Sequence, residues 1–347
     1  MIHFYRLEMR LLCCLLALLT VTLGARHRHE RTQPCIIASC IRDVENLQQH
    51  GIRVQQNLSV RPATEESVLA CYVNLVANPT SHKQVIVEQF HEKGRGCIGI
   101  PISEGEMGIW VDISHIYPVA ISPRDALPVL IDKKKFKQFV AEIGYPTYIP
   151  IRYESFPVIQ YPCILKVTPQ LGAGGQGVYI VASEKELRSL LGNLLITDVL
   201  VEEFVSSTLE VSVTVVAFRG SMVSLEECIR METAHEQYII VGGSTYKRSF
   251  IKCSEIPRWD IVKEISTKVV QKLNFTGFGF IQLKYDSFLE PKLVEMNGRI
   301  DGTMRMYHPG LFASLIKKYY RAWSESEKKR ERKEARRRRE QHEGITI

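Results

Sequence analysis

Residues 277–299 read GFGFIQLKYDSFLEPKLVEMNGR. Two apolar runs, 277–286 and 291–299, flank a short polar turn, a pattern that predicts two adjacent strands. Glu295, Asn297 and Arg299 recur at every second residue of the later strand and share one side of the sheet, while Met296 and Gly298 take the other. A carboxylate and an amide oxygen on one face form a platform of hard oxygen ligands suited to Mg²⁺ bridging phosphates, and Gln282 on the neighbouring strand adds a third oxygen. Arg299 beside them can grip an anion through paired hydrogen bonds. A plain surface strand with three polar residues would not explain why both flanks are apolar.

Upstream, residues 163–181 read CILKVTPQLGAGGQGVYIV. Gly172, Gly174, Gly175 and Gly177 keep side chains away from the backbone N–H groups that bind phosphate, and they permit positive φ. Lys166, at the end of the first strand, supplies a cation beside such phosphates. No Lys-Ser or Lys-Thr follows the glycines, which excludes the P-loop. A strand follows rather than a helix, which excludes the dinucleotide fingerprint. In LVEEFV (200–205), Glu202 and Glu203 point to opposite sides of a strand, so one can enter a cleft, and a backbone there can offer one C=O and one N–H to an adenine edge. Glu210 is placed for a ribose.

The order DKKKF (132–136), ILK (164–166), GAGGQG (172–177), EEFV (202–205), LE (209–210) and EMNGR (295–299) resembles the ATP-grasp family. The resemblance covers about 126–320 and implies an α/β (α+β) fold of two lobes, about 126–204 and 205–320, around a nucleotide cleft. A small α/β domain at 32–125 would precede it. It further implies that Lys133 and Lys166 meet ATP phosphates and that Gly172 to Gly177 form a lid. Glu203 (through its carbonyl) and Val205 (through its N–H) would read adenine, with Glu202 nearby, and Glu210 would hold ribose. Gln282, Glu295 and Asn297 would hold Mg²⁺ (or Mn²⁺), and Arg299 would steady an acyl phosphate or its carboxylate precursor.

Two positions depart from the family. Gln282 stands where the D-alanine ligases have an acid, although the carbamoyl phosphate synthetase large chain is similar in having glutamine there. Gly298 replaces a frequent proline, which predicts a looser strand. The implied reaction is ligation, in which ATP activates a carboxylate as an acyl phosphate and an amine or other nucleophile displaces the phosphate. A non-catalytic ATP-binding module of the same ancestry and an ATP-dependent phosphotransferase are the alternatives. The expected partners are a small-molecule carboxylate and an amine.

The remaining features concern the ends and the cysteines. The net charge of +7 resides in residues 1–31 and 321–347, since 32–320 hold equal numbers of acidic and basic side chains. The folded middle therefore carries no electrostatic footprint for nucleic acid. The basic tail, EKKRERKEARRRREQHE (327–343), has no apolar stripe and reads as a solvated helix or arm that could meet an anionic surface. Arg6 and Arg10 precede LLCCLLALLTVTLGA (11–25), a signal-like pattern. The need for ATP argues instead for a cytoplasmic protein. The nine cysteines are scattered without CxxC, which predicts reduced, partly buried thiols rather than a disulfide framework. Asn57-Leu58-Ser59 and Asn274-Phe275-Thr276 match glycosylation triplets.

Overall fold

The computed structural model describes residues 34–38, 44–56, 97–102, 104–153, 160–167, 177–192, 199–207, 209–232, 247–302, 304 and 308–343. Gly172, Gly174, Gly175, the signal-like segment and Asn57 lie outside these residues.

The chain first builds a parallel sheet. Strand β1 (Cys35–Ala38) lies between β2 (Arg53–Gln56) and β3 (Cys97–Gly99), with α1 (Val44–Gln49) connecting β1 to β2. Gly51, at φ 73, stops α1 in the left-handed conformation that glycine adopts without a Cβ clash. Helix α2 (Glu104–Ile113) follows. Its buried residues, Met107, Ile109, Trp110, Val111 and Ile113, lie on several sides of the helix and leave no single apolar stripe for sequence reading to find.

Residues 122–128 hold a 3-10 turn at Arg124–Ala126 and the start of α3 (Leu127–Ile131). Pro128 sits in the first turn of α3, where its missing N–H costs nothing. Helix α4 (Lys133–Glu142) is capped by Asp132, whose carboxylate accepts from the N–H groups of Lys134 and Lys135 at 2.8 and 3.3 Å. Phe136 and Val140 on its inner face are fully buried. Asp132 thereby fixes where the helix begins and with it the position of Lys133.

A small antiparallel sheet comes next, in the order β5-β4-β6. Its strands are β4 (Cys163–Val167), β5 (Val178–Val181) and β6 (Val199–Glu203). Helix α5 (Glu184–Leu191) buries Leu187 against Cys163, Leu165, Val181, Val199 and Val201. Ser183 caps α5 by accepting from the Glu186 N–H at 3.3 Å. Glu186 reaches back to the N–H of Ala182 at 2.8 Å, one residue before the cap.

The large antiparallel sheet runs β10-β9-β7-β11-β12, with β8 paired to β7. Its strands are β7 (Leu209–Phe218), β8 (Ser221–Ser224), β9 (Glu227–Glu232), β10 (Lys247–Lys252), β11 (Gly277–Tyr285) and β12 (Pro291–Asn297). The stretch 222–232 divides into β8 and β9. The β7–β8 hairpin turns at Arg219 and Gly220, both with positive φ (50 and 72), as tight turns between right-twisted strands require.

Strand β7 decides how the sheet is used. Val211, Val213, Val215 and Ala217 face a core closed by α6 (Trp259–Lys272) through Val262, Ile265, Val269 and Val270. The intervening Glu210, Ser212 and Thr214 are buried polar residues on the opposite face. Helix α7 (Pro309–Glu343) starts by burying Phe312, Ala313, Leu315, Ile316 and Tyr319 against Val216, Phe278 and the parallel sheet. Its residues 328–341 are exposed and carry Arg330–Glu327 and Arg336–Glu340 pairs, both at 2.7 Å, in keeping with a solvated helix. No helix among the described residues is long and apolar enough to cross a membrane.

The cysteines correct the sequence expectation. Cys228 on β9 and Cys253 after β10 form a buried disulfide, and Cys97 is also disulfide-bonded. Cys163 is a free buried thiol. Antiparallel pairing of β9 with β10 brings Cys228 near Cys253 although 25 residues separate them, a proximity that scattered spacing cannot reveal.

Candidate functional site

The polar face of the large sheet forms one wall of the site. Gln282 on β11 stands directly opposite Glu295 on β12, and Phe280 stands opposite Asn297. Leu283 pairs with Leu293, so Val294 is an extra residue in β12. This bulge is what aims the site. Strict alternation would put Leu293 and Glu295 on one face, whereas the extra residue lets Leu293 and Met296 both enter the core while Glu295 stays outside it. Asn297 follows Glu295 by two residues on β12 and helps to hold its carboxyl low. On β7, Glu210 accepts from the Gln282 amide through Oε1 and from Lys284 Nζ through Oε2 at 2.5 Å. Because the amide nitrogen of Gln282 is engaged with Glu210, its oxygen is the atom it has for a cation.

Helix α4 and the small sheet supply the opposing wall. Lys133, in the first turn of α4, reaches Glu295 Oε2 at 2.6 Å. One turn later Lys137 points the same way and contacts Glu202 Oε1, while Lys166 from β4 contacts Glu202 Oε2 at 2.7 Å. All three members of this triad are almost completely buried, Lys137 at 4%, Lys166 at 4% and Glu202 at 1% exposure. Removing one partner of such a buried pair typically costs ~3–5 kcal/mol, because the other charge is left uncompensated.

Two ammonium groups share one carboxylate, so the triad has an excess positive charge away from water. Burial pushes Lys137 down to about 7, against the raising pull of Glu202, with Lys166 lowering it further. Burial would raise Glu202, but the charges and hydrogen bonds of Lys137 and Lys166 outweigh it and hold the carboxyl below its usual range. Glu295 is held low in the same way, with burial opposed by Lys133, by Lys166 and by Asn297. Both carboxylates are therefore ionised at neutral pH and are ready acceptors or ligands.

Arg299 lies just past β12. Its guanidinium stands 5.4 Å from the Phe280 ring centroid and donates to Glu104 of α2 at 3.0 Å. Gly298 does not loosen the strand as expected. A Cβ there would lie 2.5 Å from Met107 Cε and 3.0 Å from Leu130 Cδ1, so glycine admits the close approach of α2 and α3. Glu104, Asp132, Lys133, Glu295 and Asn297 line one recess, which places Arg299's partner beside the oxygen platform.

The sequence-selected residues thus fall into two groups. Lys133, Lys166, Glu202, Gln282, Glu295 and Asn297 are drawn together, with Glu210 joined through Gln282. Glu203 faces away from Glu202 and lies 3.6 Å from Lys292, while its N–H donates to the Ile151 carbonyl at 2.8 Å. Val205 is buried just beyond β6, and Gly177, at φ 70, accepts the Val167 N–H where the two loop-bearing strands leave the sheet. Lys137, Lys284 and Glu104 were not selected. For Lys137 a signal existed, since it follows Lys133 by one helical turn and sits beside the buried Phe136.

The small antiparallel sheet with α4 on one side, and the large sheet with its oxygen platform on the other, form the two walls of the site. Residues 129–283 match the family model of the ATP-grasp domain. Solved structures give the same fold. An L-amino acid ligase from Bacillus licheniformis superposes with a TM-score of 0.60 at 13% identity, over 83% of this chain and 74% of that one. N5-carboxyaminoimidazole synthetase from Staphylococcus aureus in complex with ADP gives 0.56 at 15%, over 82% and 77%. D-alanine–D-alanine ligase from Bacillus anthracis in complex with ATP gives 0.54 at 13%, over 85% and 99%. A comparison with curated protein sequences finds no match.

Proposed function

We propose that the chain is an ATP- and Mg²⁺-dependent ligase that activates a small carboxylate as an acyl phosphate for attack by an amine. The observation that carries this reading is the meeting of two cations and one oxygen platform across the cleft. Lys133 already contacts Glu295 at 2.6 Å, and Lys166 stands close enough to help keep that carboxylate ionised. The similarity in fold to an L-amino acid ligase and to D-alanine–D-alanine ligase adds weight to ligation as the class of reaction.

The residues present fit a divalent ion of modest affinity. Among the described residues no cluster of three His, Cys, Asp or Glu side chains exists. Glu295, Asn297 and Gln282 offer one carboxylate and two amide oxygens. That set suits Mg²⁺, which commonly binds through one or two carboxylates and completes its octahedron with water and substrate phosphates. When bound, the ion would neutralise phosphate charge. Lys133 is the counter-ion of Glu295 in this structure, and with a divalent ion held by Glu295 its ammonium would be available to an anion.

The chain's own groups do the remaining work. A carboxylate and a triphosphate repel each other, and Lys133, Lys166 and Arg299 offset that repulsion at fixed positions. Lys166 can leave Glu202 for a phosphate because Lys137 remains behind as counter-ion, so the buried carboxylate is never stranded. Glu202 and Glu210 offer acceptors for the adenine amino group and the ribose hydroxyls. Gly172 to Gly177 would cover the reacting groups and exclude water, which an acyl phosphate requires.

The test is calorimetric titration of Mg-ATP into wild type and Lys166→Ala, followed by a screen for ADP and phosphate release over pairs of amino acids and other carboxylates. Lys166→Ala keeps the Lys137–Glu202 pair and so should fold. At least a tenfold loss of ATP affinity in the variant and phosphate release that needs both a carboxylate and an amine are expected. Undiminished affinity in Lys166→Ala, or ATP binding without turnover over the whole screen, would overturn the ligase reading, the latter in favour of a binding module. A stable phosphorylated product would favour phosphotransfer.

A further inference from the structure

We infer that the chain matures in an oxidising secretory compartment and carries an N-linked glycan on Asn274. This replaces the expectation of a cytoplasmic protein and rests on residues other than those of the ligase reading. Three features left unused by the cleft agree. The first is the pair of buried half-cystines, Cys228 and Cys253, together with the bonded Cys97. Such bonds persist in secretory and extracellular settings, where thiols are not kept reduced, and are rare in the cytosol. The second is the basic flank and apolar run of residues 6–25, a pattern that directs a chain into that setting. The third is the geometry of the triplet Asn274-Phe275-Thr276.

Asn274 is exposed in the turn between α6 and β11, at φ 47, with its N–H donating to the Gln271 carbonyl at 3.1 Å. Phe275 is fully buried, and Thr276 Oγ1 accepts from the Arg219 N–H at 2.9 Å. The triplet is therefore anchored by its second and third residues, and only the asparagine looks outward. It is also remote from the cleft. Gln282 lies eight residues along the same strand direction, up to ~25 Å away at about 3.3 Å per residue. A bulky sugar at Asn274 leaves the cleft open. The left-handed position by itself accounts for Asn or Gly at 274. A threonine two residues on, in a chain with oxidised cysteines and a signal-like start, extends the reading to modification.

The chemistry balances with two co-reactants of that compartment. The Cys228 and Cys253 thiols give up two protons and two electrons to an oxidised dithiol carrier as their S–S bond forms. The Asn274 side-chain nitrogen bonds to the anomeric carbon of a lipid-diphosphate oligosaccharide. The sugar–phosphate bond breaks, and the amide proton is lost as the lipid diphosphate departs.

The experiment expresses the full chain from Met1 in a eukaryotic cell line and compares electrophoretic mobility before and after peptide N-glycosidase. Wild type, Asn274→Gly and Thr276→Ser are run side by side. Glycine suits the left-handed turn, so Asn274→Gly folds, and serine keeps the triplet complete. Wild type and Thr276→Ser should each show one more glycosidase-sensitive mobility step than Asn274→Gly. In parallel, alkylation of unreduced, denatured protein followed by peptide mass spectrometry should find Cys163 modified and Cys228 and Cys253 protected. Identical glycosidase shifts in wild type and Asn274→Gly, no shift in either, or full alkylation of Cys228 and Cys253 without reductant would overturn the inference.

Discussion

Replacing Lys137 by methionine tests the electrostatics of the cleft in isolation. Methionine keeps the length and burial of the chain but removes the second ammonium on Glu202. In the folded protein burial drives Lys137 from 10.5 to about 7, while in the unfolded chain it titrates near its ordinary value. Between these two values the unfolded state holds the proton and the folded state has lost it. Folding stability must therefore rise with pH across that window, by up to ~1.4 kcal/mol per pH unit. Integrated from pH 7 to pH 9, Lys137 contributes a gain of about 2 kcal/mol. Urea unfolding of wild type and Lys137→Met at pH 7, 8 and 9 reads the difference, because every other titrating group is common to both. Lys137→Met should lack the gain, so the two curves of stability against pH diverge by that amount. Parallel curves would refute the claim that burial strips Lys137 of its proton in the folded protein well below its ordinary range.

Other perturbations address the fold and the site. A Cβ on Gly277 would lie 2.3 Å from the Ala120 carbonyl oxygen at a φ of 112, so Gly277→Ala should lower stability by ~2–4 kcal/mol in denaturant melts. Gly298→Ala meets the flexible end of Met107 and should cost only about 1 kcal/mol. Arg299→Lys removes a planar, forked donor that stacks on Phe280, and should lower kcat/KM of the ligase reaction by ~10–100-fold, the worth of a charge-assisted hydrogen bond. Cys228→Ser opens the disulfide and should destabilise the large lobe by ~3 kcal/mol under non-reducing conditions, a loss that vanishes when both proteins are melted in reductant.

Much of this was legible along the chain because it is local. The alternation of β7, the Ser183 cap, the glycine-stopped helices and the hairpin at Gly220 each depend on residues a few positions apart. Helix α2 escaped because it is apolar on several sides and so lacks a period. The disulfide escaped because β9–β10 pairing, and nothing in the spacing, brings its halves together.

By itself the sequence determined which residues could make a nucleotide site: the strand lysine, the glycine loop, and the Glu295–Asn297 pair flanked by core residues. Their chemistry and their two-residue period are properties of the chain. Only the tertiary structure decided how they are aimed. The extra residue Val294 is invisible until β12 is laid against β11, yet it is what lets Leu293 and Met296 enter the core while Glu295 faces the cleft. Lys137 likewise reads as one more helix lysine until β6 brings a buried carboxylate to it, from 65 residues away. A carboxylate with no water must find its counter-ions wherever packing puts them, and packing is a property of the folded whole.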